Sequence, residues 1–369
     1  MKKLWRCDKI KVASSEVSMG KNNFAEIPFR YPLIEGAARA GLCRGGVTKG
    51  SVELYLIFIR VEEAEDIFNA YLSSGAYLKE GGGCVPVCAV FCGCKAPLEV
   101  QRYARFYTEA KREDYLPLPA PYVEICEKED KEALALAASA PEFSLVFCRK
   151  SEREKLLSAA GGARVIAAEE GTSGIIERAA ALRNAAYAGD EKDAREAFSK
   201  LSEEKRAANL FSCASIRGKL LSCGFDCAES GKEAEEEFLR VYYAGDEPHL
   251  KDGRIVYKNE DLSRNSVRSA LARAEHERWN SYMICRGFVP ASRARIEKEG
   301  AVKDEERREH ANITTFEGLK EFAAIAARLK GVSEEETDVI RYDYMLMDEA
   351  PALVFACGAM IVKLEKTGI

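Results

Sequence analysis

No stretch of this chain comes near the roughly 20 consecutive apolar residues that a membrane-crossing helix needs. The longest apolar runs, Leu54–Ile59 and Val85–Cys92, have the length of strands. The opening Met1-Lys-Lys-Leu-Trp-Arg-Cys-Asp8 is charged and lacks the apolar segment of a secretory leader, so a cytoplasmic location with no membrane partner is expected. An excess of one charge is missing too. The 55 Lys and Arg residues stand against 60 Asp and Glu, a formal net charge of −5, which leaves no broad electrostatic footprint for nucleic acid. Histidine and tryptophan are scarce, at three and two. The 13 cysteines are an odd number spread through apolar segments, as at Cys126, Cys148, Cys213, Cys223 and Cys357, and in a reducing compartment they read as small buried hydrophobes. The cluster Cys84, Cys88, Cys92 and Cys94 lacks the paired C-x2-C spacing of a zinc site and has no histidine near it. Cys88 and Cys92 read instead as part of a buried strand, and neither a metal nor an organic cofactor is expected.

The chain carries 47% hydrophobic and 31% charged residues over 369 positions, a globular balance with length enough for two domains. Residues 1–172 alternate strand-like and helix-like pieces. Strands are expected at Leu54–Ile59, Val85–Cys92, Tyr122–Cys126, Phe143–Cys148 and Arg164–Ala168, with helices at Glu62–Ser73, Leu98–Arg112, Lys131–Ala140 and Glu152–Ala160. This rhythm predicts an α/β domain with an open, mostly parallel sheet. A dinucleotide-binding version would show G-x-G-x-x-G after its first strand. Here Ile59 is followed by Arg-Val-Glu-Glu-Ala-Glu, without glycine and with carboxylates that would repel a pyrophosphate, and the glycines at 81–83 precede a strand. The expected domain is a Rossmann-like shell lacking the glycine fingerprint.

Residues 173–369 read as mainly helical. Helices are expected at Ile175–Ala188, Asp193–Leu201, Ser202–Cys223, Glu233–Tyr243, 267–287, Phe316–Leu329 and Glu336–Cys357. Asn265 or Ser266 would cap the helix at 267 and Gly287 would stop it, while Ser292–Arg308 reads as a charged, extended loop. There is an internal echo: Leu201-Ser-Glu-Glu leads to Ser222-Cys-Gly-Phe225, and Val332-Ser-Glu-Glu leads to Ala356-Cys-Gly-Ala359. Two related helical units about a pseudo-two-fold axis would produce it, and so would chance among alanine-rich helices.

The helix at 267–287 is where the rare residues gather. Glu275, Arg278, Trp279, Tyr282 and Arg286 fall at i, i+3, i+4, i+7 and i+11, one stripe of carboxylate, guanidinium, indole and phenol. His276 lies beside the stripe, and His310 lies beyond the charged loop. A flat, polar, partly aromatic ligand suits such a mixture, with a base stacked on the indole and arginine on phosphate or ribose oxygens. The plainer reading makes Trp279 a core anchor and Glu275–Arg278 an ordinary intrahelical ion pair.

The segment Leu271-Ala-Arg-Ala-Glu-His-Glu-Arg-Trp-Asn-Ser-Tyr-Met-Ile-Cys-Arg-Gly-Phe288 resembles the first helix of the ryanodine receptor homology (RyR) domain as it occurs in bacterial proteins. That family continues with a variable loop and a His-x-x-Leu-x-Pro-Phe-x-x-Leu element. Here it reads His310-Ala-Asn-Ile-Thr-Thr-Phe-Glu-Gly-Leu319, with Ile313 and Thr315 in place of leucine and proline. The segment Leu201–Lys219, with Arg206 and Asn209, is similar to a preceding helical element of the same chains, and larger members place a TrkA-like Rossmann domain ahead of it. The resemblance implies a mainly helical binding module, without catalysis, that senses a nucleotide-derived messenger (ADP-ribose-like or a cyclic nucleotide) in bacterial signalling or phage defence. Its implied ligand residues are Glu275, His276, Arg278, Trp279, Tyr282, Arg286, His310, Arg206 and Asn209. Its implied partners are that small molecule, an effector protein and a second copy of the chain. Two other readings stand beside it: an enzyme using Glu275, His276 and His310 as acid–base groups on a nucleotide, and a regulatory subunit whose helix docks a partner.

Overall fold

The computed structural model describes residues 54–61, 64, 68, 87–109, 111–118, 123–140, 144–160, 164–168, 174–188, 194–228, 230–244, 249–251, 254–256 and 266–363. The first 53 residues, the glycines at 81–83, Cys84 and Asn265 lie outside these. Of the helix expected over 62–73, only Ala64 and Phe68 are described, both helical and both buried.

Five strands, β1 (Leu54–Ile59), β2 (Val87–Cys92), β3 (Val123–Lys128), β4 (Leu145–Arg149) and β5 (Arg164–Ala168), form one parallel sheet in the order β3-β2-β1-β4-β5. Parallel strands are covered on both faces, which is why they read as continuous apolar runs. Leu56, Phe58, Phe91 and Phe147 project to one face, where Phe58 stacks on Phe91 and Phe147 at 4.9 and 5.3 Å. Helix α1 (Leu98–Glu109) covers that face through Val100, Tyr103 and Phe106. Ile57, Ile59, Val90, Cys92, Val146 and Cys148 project to the other, against Ala133 and Ala137 of α2 (Ala133–Ser139) and Leu156 of α3 (Arg153–Ala159). The architecture is Rossmann-like α/β, and Cys88 and Cys92 sit in a strand as expected.

Helices dominate the remainder: α4 (Gly174–Ala188), α5 (Ala194–Ser199), α6 (Glu203–Ser222), α7 (Glu235–Tyr242), α8 (Val267–Cys285), α9 (Arg293–Glu299), α10 (Phe316–Lys330), α11 (Glu334–Thr337), α12 (Ile340–Asp348) and α13 (Ala350–Ala356), with the short strands β6 (Phe225–Ala228), β7 (His249–Lys251), β8 (Arg254–Val256), β9 (Val289–Pro290), β10 (Lys303–Asp304), β11 (Glu309–His310) and β12 (Met360–Lys363) among them. Among the described residues, no helix is long and apolar enough to cross a membrane. The charged segment 292–308 is not a loop. It holds α9 and the short strand β10 (Lys303–Asp304), and leads into β11 (Glu309–His310), which pairs with β10 and with β9 (Val289–Pro290). Arg295 accounts for much of the misreading, because it spends the segment's charge on Glu299, Asp304 and Glu309 while Ile296 and Val302 are buried. The single helix expected over 336–357 is three, α11 to α13, with Pro351 in the first turn of the last.

The chain's internal echo has a structural counterpart. Gly224 and Gly358 both take left-handed φ values, +82° and +75°, and both turn the chain from a helix into a strand. The strands they start, β6 (Phe225–Ala228) and β12 (Met360–Lys363), pair antiparallel, Phe225 opposite Lys363 and Cys227 opposite Ile361. A two-fold axis would pair like segments in this way.

Helix α8 is the spine of the molecule. Ser266 caps it, its Oγ accepting from the Ser269 amide at 3.1 Å, and Gly287 ends it at φ +83°. Leu271 and Tyr282 join the helical core with Leu210, Phe211 and Leu220. Ile284, in the helix's last turn, joins the sheet's core with Phe288 and Ile313. The next segment bonds to the α/β part directly: the Thr314 hydroxyl and the Thr315 amide both donate to the Pro117 carbonyl, at 2.6 and 2.9 Å.

Candidate functional site

In an open parallel sheet, ligands bind beyond the carboxyl ends of the strands where the order reverses, here between β1 and β4. That place is occupied by the protein's own ions. Arg60, directly after β1 and at φ +53°, pairs with Asp130 beyond β3 and with Glu152 beyond β4. Two carboxylates thus take up Arg60 at that crevice, and the carboxylates foreseen after Ile59 lie outside the described residues.

The interior of α8 is different in kind. Glu275, His276, Glu277 and Arg278 are four consecutive ionisable residues, exposed by only 1%, 4%, 7% and 4%. Successive residues of a helix are turned by about 100°, so these four face almost all the way round it. Protein therefore surrounds α8, and each charge must find compensation or be neutralised.

On the side facing α6, Glu275 is the hub. Its Oε1 accepts from the Ser212 hydroxyl at 2.7 Å and from Arg278 Nη2 at 2.8 Å, while Arg278 Nε lies 3.1 Å from both oxygens. Lys219 Nζ donates to Oε2 and to the Ser215 hydroxyl, the latter at 2.7 Å. Arg183 of α4 reaches the same cluster through Ser212 Oγ, at 2.5 Å, and donates to the Leu346 carbonyl at 2.9 Å. Burial alone would push the Glu275 carboxyl up, but Arg278, Lys219 and Arg183 outweigh it and hold the group well below the usual carboxylate range. Lys219 fares worse. Burial and two guanidiniums against one carboxylate bring its amine down to about 8. Among the described residues, Arg278 Nη1 and Arg183 Nε have no hydrogen-bond partner although both are buried. Further along this side, Tyr282 meets Phe211 at 5.7 Å between ring centroids, and the Arg286 guanidinium lies over Tyr282.

The adjoining face carries an aromatic and histidine cluster. His276 Nδ1 lies 3.2 Å from Asp343 of α12, and its Nε2 lies 3.0 Å from the Thr314 carbonyl. With an acceptor at each nitrogen, the doubly protonated ring satisfies both. Burial disfavours that cation, but Asp343 outweighs burial and raises the histidine's pKa. Asn280 donates to the same carbonyl at 2.7 Å. The part-exposed Trp279 packs on His276 and receives His310 edge-on, at 5.9 and 5.1 Å between centroids. His310 Nδ1 accepts from the Asn312 amide at 3.1 Å, and burial drops the ring to about 4, so it is neutral with its proton on Nε2. Glu277 is pushed up to about 7, chiefly by burial, with His276 and Arg273 opposing only in part. At the helix's start, Arg268 makes a bidentate pair with Asp348 at 2.8 and 2.7 Å, and Tyr242 donates to the same carboxylate.

The structure thus turns Glu275, Arg278 and Tyr282 towards α6, while Trp279 on the edge of that stripe meets its neighbour His276 and His310. Arg206 and Asn209 lie on α6, where Asn209 bonds to the Lys205 carbonyl of its own helix, and among the described residues no hydrogen bond or ring contact joins either to α8. The stripe is not a surface, since Glu275, Arg278 and Tyr282 are buried. Sequence reasoning missed Arg183, Lys219, Ser212 and Ser215, as well as Asp343 and Thr314. The only signal for the first four was charge and hydroxyl inside otherwise apolar helices. No family model matches the chain, and no characterised protein matches it.

Proposed function

We propose that the chain is a receptor that binds a nucleotide-derived messenger through a diverged RyR-type helical module without turning it over. The observation that carries this reading is the pairing, around α8, of a buried cationic cluster whose guanidinium N–H groups include two without partners among the described residues with a neighbouring Trp279–His310 ring pair. The first suits phosphate and the second a base. Catalysis is poorly served by the same atoms. Glu275 is saturated by donors, and both His276 nitrogens and Nδ1 of His310 are already bonded. The antiparallel pairing of β6 with β12 supports two related helical units within the module.

Calorimetry with a panel of ADP-ribose, NAD and cyclic mono- and dinucleotides tests the reading. Binding at micromolar or tighter affinity, weakened at least tenfold in Trp279→Ala, is the expected result. A panel that gives no heat abandons it, and chromatography that finds a product overturns the receptor in favour of an enzyme. A second reading, a non-catalytic subunit that docks a partner, is favoured by one observation: the stripe lies in the protein's own core, while Tyr342, Met345 and Phe355 of α12 and α13 stand exposed.

A further inference from the structure

We infer that Arg183, Lys219 and Arg278 form an oxyanion cradle between α4, α6 and α8, made for a phosphate or phosphoryl group. Two cations, Lys219 and Arg278, bind one carboxylate, Glu275, and a third, Arg183, reaches it through the Ser212 hydroxyl. Asp343 is engaged by His276, and Glu349 feels Arg183 while burial pushes its carboxyl up. Arg183 and Lys219 are 2% and 1% exposed, so solvent does not screen their charge. Two donors point to what is missing. Arg278 Nη1 and Arg183 Nε are buried without partners among the described residues, and an unsatisfied buried donor on a charged group is strongly disfavoured. A tetrahedral oxyanion supplies several acceptor atoms and one or two negative charges at once, and guanidiniums match its geometry. Ser215, which holds Lys219 Nζ in place, completes the wall.

Because the guanidiniums are buried, an anion enters only as α6 eases away from α8, and it closes the cluster on arrival. Binding also has a protonation signature. Lys219 has its pKa lowered to about 8 in the ligand-free protein, and a neighbouring anion favours the ammonium, so association above that pH takes up a proton. Where the nucleotide reading holds, the cradle takes the ligand's phosphate; the cradle itself stands on its own charge and unpartnered donors.

The test is thermal unfolding and calorimetry of the full chain with inorganic phosphate and pyrophosphate, against chloride at matched ionic strength. The wild type is expected to gain stability with either anion, and its binding heat above the Lys219 pKa is expected to depend on the buffer's own ionisation heat. Lys219→Met is expected to lose the anion-dependent gain, and Ser215→Ala, which keeps charge and volume, to weaken it several-fold. Should Lys219→Met fail to fold, Ser215→Ala decides. Absence of any anion-dependent gain in the wild type overturns the cradle, as does a gain of equal size in all three proteins, which would mark surface binding. Phosphate binding with no nucleotide binding sinks the receptor and keeps the cradle. Nucleotide binding that survives Lys219→Met unchanged does the reverse.

Discussion

Replacing Glu275 by glutamine isolates the electrostatics of the α8 interior. The shape is nearly unchanged, so no cavity opens, and what disappears is the one negative charge facing Arg278, Lys219 and the Ser212-linked Arg183. The amide also brings two N–H donors to a site already crowded with donors. Removing one partner of a buried ion pair typically costs about 3–5 kcal/mol, because the other charge is left uncompensated. For a module of about 150–250 residues that corresponds to a fall in Tm of roughly 6–20 °C. Urea unfolding followed by circular dichroism gives the free energy, with an unchanged slope showing that the unfolded state is unaffected. The double variant Glu275→Gln with Lys219→Met removes one carboxylate and one cation together. It should recover a substantial part of the loss, a coupling of about 1–3 kcal/mol. A single-variant cost under about 1 kcal/mol, the scale of an exposed pair, refutes the picture of an unscreened cluster. Strict additivity in the double variant refutes the claim that Lys219 is the marginal member.

Three further outcomes follow from elsewhere around the helix. Glu277 is raised to about 7 in the folded protein against 4.5 when unfolded, so the folded state holds the extra proton between those values and stability falls as pH climbs through them. Glu277→Gln should therefore be near neutral at acid pH and stabilising by roughly 2–3 kcal/mol above neutrality; equal effects at both ends of a pH series of urea curves would contradict it. His276, raised above its ordinary 6.5, contributes stability fully present below that value and lost as pH rises through its folded pKa. Nitrogen-15 spectra of the imidazole should show both nitrogens protonated at slightly acid pH, and Asp343→Asn should convert the ring to a neutral tautomer. Gly318→Ala places a methyl 1.9 Å from Thr314 Oγ1, an overlap worth about 1–3 kcal/mol. Adding Thr314→Ala should return most of that cost, and a double variant no better than the single would show that the strain lies elsewhere.

The strands were legible in the sequence because buried parallel strands are uninterrupted apolar runs: Leu54–Ile59 and Arg164–Ala168 are placed to the residue. Helix ends were legible where a glycine must adopt positive φ, as at Gly224 and Gly287. What failed was periodicity read through charge. Residues 292–308 look solvated, yet Arg295 binds three carboxylates locally and frees Ile296 and Val302 to enter a core. The stripe on α8 failed for a related reason. A helical wheel shows which residues share a face but not whether that face meets water, and here the face of Glu275, Arg278 and Tyr282 meets protein. Lys219 and Arg183, the partners that make the cluster, sit 56 and 92 residues from Glu275, counting back from position 275. No local pattern announces such a pairing.

A buried ionic helix between two apolar cores raises the question of why leucines do not occupy the same positions. Replacing buried charges by well-packed apolar groups is often neutral or stabilising, so stability alone does not explain Glu275, His276, Glu277 and Arg278. Register does explain them in part. A helix that is apolar all round slides and rotates at little cost, whereas α8 is fixed by three sets of partners: Asp348 for Arg268, the Asp343 and Thr314 oxygens for His276, and the donors of α6 for Glu275. Asp343 and Asp348 come from α12, and the other partners from α6 and from the segment before α10. The Thr314 carbonyl that takes His276 and Asn280 belongs to a residue whose hydroxyl binds Pro117, so the rotation of α8 is tied by two residues to the α/β part. Ile284 and Phe288 tie its far end to the sheet's apolar core. Register alone would be satisfied by a neutral network, however, and this one gathers three cations about Glu275, with two guanidinium nitrogens left without partners among the described residues. Those groups are what an anion would use. Its arrival would be felt along the same rigid helix at the sheet, which gives a binding event in the helical part a mechanical route to the rest of the molecule.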